Sequence, residues 1–426
     1  MKHDPSLEPP AQKVGQATVI FRRTVWFLFP IAFVVGAVIL LNISQRPTPP
    51  NYHMTFAIQG NRTKVMGVNL AGWLVLDKNA YPKSDLLSGA PTDVKSEYDL
   101  VSWYNKTNKK SDMVAKFDKH RASWITEDDI KAIVAAKLNT VRVPIGWWIT
   151  DKPTPGLSPS EKVYPEVQAN YGLFAPGAAT YLDTLVKVWA KTYNISVLID
   201  ITSAYGGQSQ DPSASNFGKY DIKLIMVSYN STQDLVKFLV NRYKDDDGFL
   251  GIGLLNEPDL PILDREREAL NYYRDTYSWV RNATKRPILT TMSALNQQHA
   301  GGSMQITDSD FSMQTFSIWP EAPSTVVGHW QEWHKIMKAD SSFTNMDDGL
   351  AMLKNDITGW KGEPLFIGAW NGVKYGNNSV SDPASVKKML DVVNLAPKGW
   401  VFHNWKSDAS GWSLKDMLAQ GVQVAP

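Results

Sequence analysis

Not one cysteine occurs in the 426 residues of this chain, which excludes disulfides, thiol nucleophiles and cysteine-ligated zinc. Charge of one sign is also scarce. Forty-four Lys and Arg against 42 Asp and Glu leave a net +2 with no basic block, so the electrostatic footprint of a nucleic-acid binder is missing. No glycine-rich turn opens a helix as a dinucleotide site requires. His329 and His334, in HWQEWH, lack the spacing and the acidic partner of a zinc site, and read as solvated or capping side chains. The acidic run KDDDG at 244–248 is too dense for a calcium loop and reads as a solvated turn. No cofactor and no metal are expected.

Aromatic residues and one long apolar run are what the chain has in quantity. There are 16 tryptophans and 16 tyrosines; flat aromatic faces suit the apolar face of a pyranose, although most single tryptophans belong to a core or its rim. Residues 24–43 contain no charge, and a helix of that length rises about 30 Å, the thickness of a hydrocarbon core. Lys2, Lys13, Arg22 and Arg23 precede it, against Asp4 and Glu8, and a short basic flank of this kind suits anionic lipid headgroups. The reading is a single-pass type II membrane protein: a cytoplasmic tail (1–23), a transmembrane anchor (24–43) and a Pro-rich linker (44–51). A cleaved signal peptide is the alternative, but no small-x-small site follows before Gln45. The rest would face the lumen or cell exterior, consistent with N-x-S/T sequons at Asn61, Asn105, Asn194, Asn230, Asn282 and Asn377.

Residues 52–426 read as one domain in which helices and strands alternate. ITEDDIKAIVAAK (125–137) is helical, with Thr126 as cap, acids in the first turn, and Ile130, Ile133 and Val134 on one face. NTVRVPIG (139–146), ISVLIDIT (195–202), FLGIGLLNEP (249–258) and RPILTTMSA (286–294) are strands, separated by helices such as 181–193 and 234–244, and FSMQTFSIW (311–319), EPLFIGAW and GWVFHNW continue the series. Strands that alternate with helices of this size predict a parallel sheet, and eight of them a closed (β/α)8 TIM barrel; a doubly wound open sheet is the rival.

Barrel enzymes place their chemistry where strands end. Arg142 on VRVP, Asp200 and Thr202 on VLIDIT, Asn256 and Glu257 on LLNEP, Trp370 on FIGAW, and His403, Asn404 and Trp405 on WVFHNW are the polar and aromatic candidates. A glutamate at a strand exit, beside an amide and before a proline, suits a general acid over a sugar ring. The plainer reading is an ion pair of Glu257 with Arg142 that stabilises the barrel.

Four blocks occur in order: VMGVNLAGWLVLD, HRASWITEDDIKAIVAAKLNTVRVPIGWW, GLLNEPDL and KGWVFHNWKSDASGWSLKDM. Together they resemble glycoside hydrolase family 5 in its exo-β-1,3-glucanase branch, over roughly residues 64–420. The resemblance implies a barrel acting on β-glucan with retention, Glu257 as acid/base, Asn256 beside the sugar 2-hydroxyl and Arg142 beside the nucleophile, with Trp370 and Trp405 also contacting substrate.

The departures are as informative. The family pattern has glutamate, the nucleophile, where this chain has Ala369, and histidine where it has Thr202. It has a His and a Tyr near the end of the next strand, where FSMQTFSIW offers neither; His403 takes the place of the first closing tryptophan. Glu363 lies six residues before Ala369, about 20 Å back along an extended strand, and Asp408 is a remote substitute. Without its partner carboxylate Glu257 is expected to ionise more readily than usual and to be a poor acid. Three outcomes follow: a β-glucan-binding protein with hydrolysis lost, an active glucanase or transglucosylase using another carboxylate, or a non-catalytic surface interaction protein.

Overall fold

The computed structural model describes residues 52–78, 81, 83–150, 172–214, 229–258, 263–292, 326–336, 346–371, 383–408 and 412–424. Residues His53–Pro426 form one compact unit. Its centre is a closed barrel of eight parallel strands in sequence order: β1 Val65–Asn69, β2 Thr140–Gly146, β3 Ser196–Ser203, β4 Phe249–Gly253, β5 Ile288–Thr291, β6 His329–Lys335, β7 Leu365–Trp370 and β8 Gly399–Phe402. β1 closes on β8 through Val65↔Gly399 to Val68↔Phe402. The expected TIM barrel is the observed fold.

Helices cover the outside: α1 Met54–Gln59, α2 Glu97–Lys106, α3 Lys110–Trp124, α4 Glu127–Ala135, α5 Ala178–Asp183 continuing through a π-helical Thr184–Trp189 to Ala190–Tyr193, α6 Tyr229–Tyr243, α7 Leu263–Ala283, α8 Met346–Gly359, α9 Pro383–Val393 and α10 Leu414–Ala419. α4 starts as its sequence predicts. Thr126 Oγ1 accepts from the Asp129 amide while the Asp129 carboxylate accepts from the Thr126 amide, a reciprocal cap. Ile130 and Ile133 then face the sheet, fully buried.

Inside the barrel, Val65, Leu198, Leu250, Ile288, Trp330, Phe366 and Val401 form one apolar layer, closed from below by Ile58 of α1. Period-two alternation sends the next inward positions to the opposite end, the carboxyl ends of the strands. There the layer turns polar: Arg142, Asp200, Glu332 and Thr290 are all buried.

Two expectations are corrected. The sixth strand is HWQEWHK (329–335), not FSMQTFSIW, which lies outside the described residues. His329 and His334 are therefore buried strand residues rather than solvated or capping ones. The single-pass membrane reading is also not upheld, because among the described residues no helix is long and apolar enough to cross a membrane; residues 24–43 themselves lie outside the described set. Of the sequon asparagines, Asn61, Asn194, Asn230 and Asn282 are exposed, while Asn105 is half-buried and donates its amide to the Val101 carbonyl. Asn377 lies outside the described residues.

Candidate active site

The polar layer is organised around one guanidinium. Arg142 Nη2 lies 2.8 Å from Asp200 Oδ1 and 3.0 Å from Glu332 Oε1, and donates to Asn256 Oδ1 at 3.0 Å. Its neighbours take further hydrogen bonds: Thr202 Oγ1 donates to Asp200, and Thr290 Oγ1 to Glu332 Oε2. Such a buried cluster is tolerated only because each charge has an opposite charge and hydrogen bonds. Burial pushes the Asp200 carboxyl up against the pull of Arg142, whereas Arg142 and the donors from His334 and Thr290 overcome burial and hold Glu332 down.

Backbone glycines make the room. A Cβ on Gly253 would stand 2.7 Å from Asp200 Oδ1, and one on Gly368 would stand 1.8 Å from Glu332 Oε1. Because Glu332 is pinned on three sides it has nowhere to retreat. Gly368→Ala is expected to cost about 1–3 kcal/mol, the range for overpacking a filled interior. Urea unfolding checks this: an unchanged midpoint would mean that Glu332 moves freely.

Gly368 also sets which way β7 faces. Opposite β6 the register runs Trp333↔Ile367 and then His334↔Ala369, so Gly368 is an extra residue, a bulge. Phe366 faces the barrel interior; past the bulge Ala369 takes the inward place and Trp370 turns outward. Trp370 is fully buried, edge-on to Trp400 at 5.3 Å and Phe402 at 4.9 Å. Its assignment to substrate is thus corrected, for its indole is core between sheet and helices. Trp405 follows β8 at the same end of the barrel, its amide donating to the Asn69 carbonyl at the end of β1. It is 1 % exposed and its indole N–H donates to Asp129 of α4 at 3.1 Å, an acid that also holds Lys406 and Lys415.

Glu257 stands where β4 runs out, with 44 % of its side chain open. Its φ of +42° is a left-handed conformation that a non-glycine residue adopts at a cost. Gln208 helps to hold it, donating to the carbonyls of Thr202 and Asn256 and accepting from the Ala204 amide. That glutamine ties the exit of β3 to the residue before Glu257, and nothing local in its sequence singles it out.

The largest surprise is His334. Its Nδ1 lies 2.6 Å from Glu257 Oε1 and its Nε2 lies 3.0 Å from Glu332 Oε1. The ring bridges two carboxylates, and Nε2 is also 3.4 Å from Arg142 Nη2. Since both imidazole nitrogens face acceptors, the ring is best satisfied as the cation. Burial opposes that charge, but the bonds to Glu257 and Glu332 raise its pKa overall. Glu257 responds in the opposite direction. Against burial, the His334 hydrogen bond, with the charges of His334, His403 and Arg142, brings its carboxyl down to about 2. The sequence leads to easier ionisation too, but from the missing partner carboxylate, whereas here the pull comes chiefly from an imidazole on β6. His403, packed edge-on against Trp412 at 5.1 Å, is pushed by burial down to about 4 and is neutral at pH 7.

The structure places Arg142, Asn256 and Glu257 at one end of the barrel, Arg142 bonded to Asn256, and turns Trp370 away from them onto Trp400 and Phe402. The ion pair of Glu257 with Arg142 is not formed; Arg142 pairs with Asp200 and Glu332. Asp408 is exposed and joins no part of the cluster. Glu332 and His334 escape the sequence reading because β6 is misplaced there, HWQEWHK having only its two tryptophans as a strand signal. Among the described residues no group of three or more His, Asp or Glu is placed to hold a metal ion.

Known proteins agree with this architecture. The profile described as Cellulase (glycosyl hydrolase family 5) matches residues 102–409, more than half of the chain. The protein belongs to glycoside hydrolase family 5. It is 25 % identical over 406 residues to the probable glucan 1,3-beta-glucosidase A of Emericella nidulans, covering 85 % of this chain and 90 % of that one. It is 29 % identical over 404 residues to the glucan 1,3-beta-glucosidase of Pichia angusta, covering 85 % and 86 %. Among solved structures, rutinosidase from Aspergillus niger superposes with a TM-score of 0.65 at 16 % identity, covering 85 % of this chain and 98 % of that one, a likeness of fold.

Proposed function

We propose that this protein binds β-glucan chains at the barrel mouth and does not cleave them by the two-carboxylate route. The domain that does so is residues 52–426, and Glu257, Asn256 and Arg142 are the residues assigned to the sugar. One observation carries the reading: the inward position of β7 is Ala369. Retaining hydrolysis needs a nucleophile and an acid about 5–5.5 Å apart, and a methyl group cannot form a glycosyl ester. His334 adds to this, because it keeps Glu257 ionised and a carboxylate has no proton to give to a leaving group. The glucan 1,3-beta-glucosidases to which the chain is similar suggest β-1,3-linked chains, those of a cell wall included, as the ligand.

A second reading rests on Glu332, a carboxylate in the same mouth that could serve an active glucanase or transglucosylase. Against it, Glu332 is 1 % exposed, Arg142, His334 and Thr290 take up its oxygens, and the imidazole separates it from Glu257. A scaffold that ignores sugars is the remaining alternative, favoured by no particular observation.

Full-length protein mixed with laminarin-type oligosaccharides is expected to release no sugar above background, while calorimetry records saturable heat at millimolar ligand or below. Hydrolysis at an ordinary glycosidase rate that Glu257→Ala abolishes would overturn the proposal. Equal loss in Glu332→Gln would then favour the second reading, and absence of heat with every sugar tried would favour the scaffold.

A further inference from the structure

Glu257 and Ala369 have each lost the property that hydrolysis requires, yet together they suit a different reaction. On a β-glucoside the acid sits on the side of the leaving group and the nucleophile on the opposite, α side. Here the α side carries a methyl group instead of a negative charge; His334, the register partner of Ala369 on β6, stands beside it, with Arg142 Nη2 3.4 Å from its Nε2, and Glu332 and Asp200 balance the two cations. The β side carries Glu257, part-open to solvent and clamped by an imidazole whose far nitrogen is itself anchored on a buried carboxylate. A negative charge fixed in this way is in the state of a base.

We infer that this site catalyses inverting glycosyl transfer, from a donor whose α-configured leaving group departs as a stable anion, to a hydroxyl of a β-glucan acceptor, with Glu257 as general base. The inference rests on the assignment of this mouth to β-glucan. The acceptor oxygen attacks the anomeric carbon from the β side and forms the new C–O bond. The bond to the leaving group breaks on the α side, and its electron pair leaves with the anion, towards Ala369, Arg142 and His334. Glu257 takes the hydroxyl proton and yields it to solvent through its open edge. Configuration inverts, so the product is β-linked. The site cannot remove that product by double displacement, and it accumulates.

His334 is then a positioning residue: it fixes the rotamer and the charge of the base. The groups facing Glu257 are His334 from β6, His403 after β8 and Arg142 from β2. In the native protein the base stays ionised to low pH; without the imidazole cation it reverts towards the ordinary carboxylate range, near pH 4.

The test uses the full chain, α-D-glucosyl fluoride as donor and laminaribiose as acceptor, with a fluoride electrode and NMR of the product. Fluoride release that depends on acceptor and yields a β-linked trisaccharide is expected. Glu257→Gln should lower it about 100-fold or more at saturating acceptor, the scale of a lost general base. His334→Gln should retain transfer at pH 7 and move the acid limb of the rate profile upward by about one pH unit or more, a shift that loss of packing alone would not produce. If Glu257→Gln fails to fold, that shift in His334→Gln decides the matter. Acceptor binding with no acceptor-dependent release would overturn the transfer and leave the binding assignment standing. Fluoride release yielding glucose alone would overturn it in favour of hydrolysis. Absence of acceptor binding would remove the assignment and the transfer together.

Discussion

Arg142→Met is expected to destabilise the protein by about 3–5 kcal/mol at pH 7, the cost of stranding buried charges by removing one partner. Arg142 is 2 % exposed and Asp200 and Glu332 are each 1 % exposed, so water cannot replace the guanidinium. The sign of the pH dependence follows from the two carboxyls. In the native protein the Glu332 pKa is depressed, and its share of stability, present above its unfolded value near 4.3, is lost as pH falls. Asp200 is raised by burial, so it favours the folded state at low pH and loses that contribution as pH rises. Without Arg142 both would be raised, and the penalty of the variant would shrink as pH falls below about 5 and both carboxyls take up protons. Urea midpoints of the two proteins across pH 4–8 are the measurement. A constant difference would show that the cluster is not held by charge, and a difference under about 1 kcal/mol that the carboxyls are already solvated or protonated.

Most of the barrel can be read locally because its elements agree with their own propensities. Thr126 with Asp129 three residues on is a capping signature, and the start of α4 follows from it. β2, β3 and β7 are apolar runs bounded by turns, and they fall within a residue or two of where their sequences place them. β6 failed for a physical reason. HWQEWHK holds two histidines, a glutamine, a glutamate and a lysine among its seven residues, a composition that argues for solvent unless partners are known. Its partners come from β2, β4 and β5 and from the Glu257 loop, all distant in sequence. FSMQTFSIW, with its alternating apolar residues, was the stronger local candidate, and pairing register rather than propensity decided against it. Trp370 went astray by one residue. A strict alternation cannot predict that Gly368 bulges, and that bulge decides which of Ala369 and Trp370 looks into the mouth. Ala369, in contrast, needed no structure, because the family pattern around it marks the missing carboxylate directly.

If hydrolysis is absent as proposed, supplying a carboxylate at position 369 alone should not produce it. In Ala369→Glu the new side chain enters a mouth where His334 already bridges Glu257 and Glu332, and the imidazole cation keeps Glu257 ionised. The variant then has a nucleophile and no acid, and its rate on laminarin-type oligosaccharides is expected to stay within about tenfold of background. The double variant Ala369→Glu/His334→Gln removes the cation and places a like charge near Glu257. Both changes push the Glu257 carboxyl upward, so that it holds a proton nearer neutrality. Its rate should exceed that of the single variant by about 100-fold or more, the contribution of a general acid, or about 2.7 kcal/mol of barrier. Leaving-group dependence separates the two cases. An aryl β-glucoside with a very acidic phenol needs no proton, so the single variant should turn it over far better than an oligosaccharide, and the double variant should narrow that gap. If Ala369→Glu alone cleaves oligosaccharides as fast as the double variant, His334 does not control the charge on Glu257. The methyl group would then be the whole of the defect.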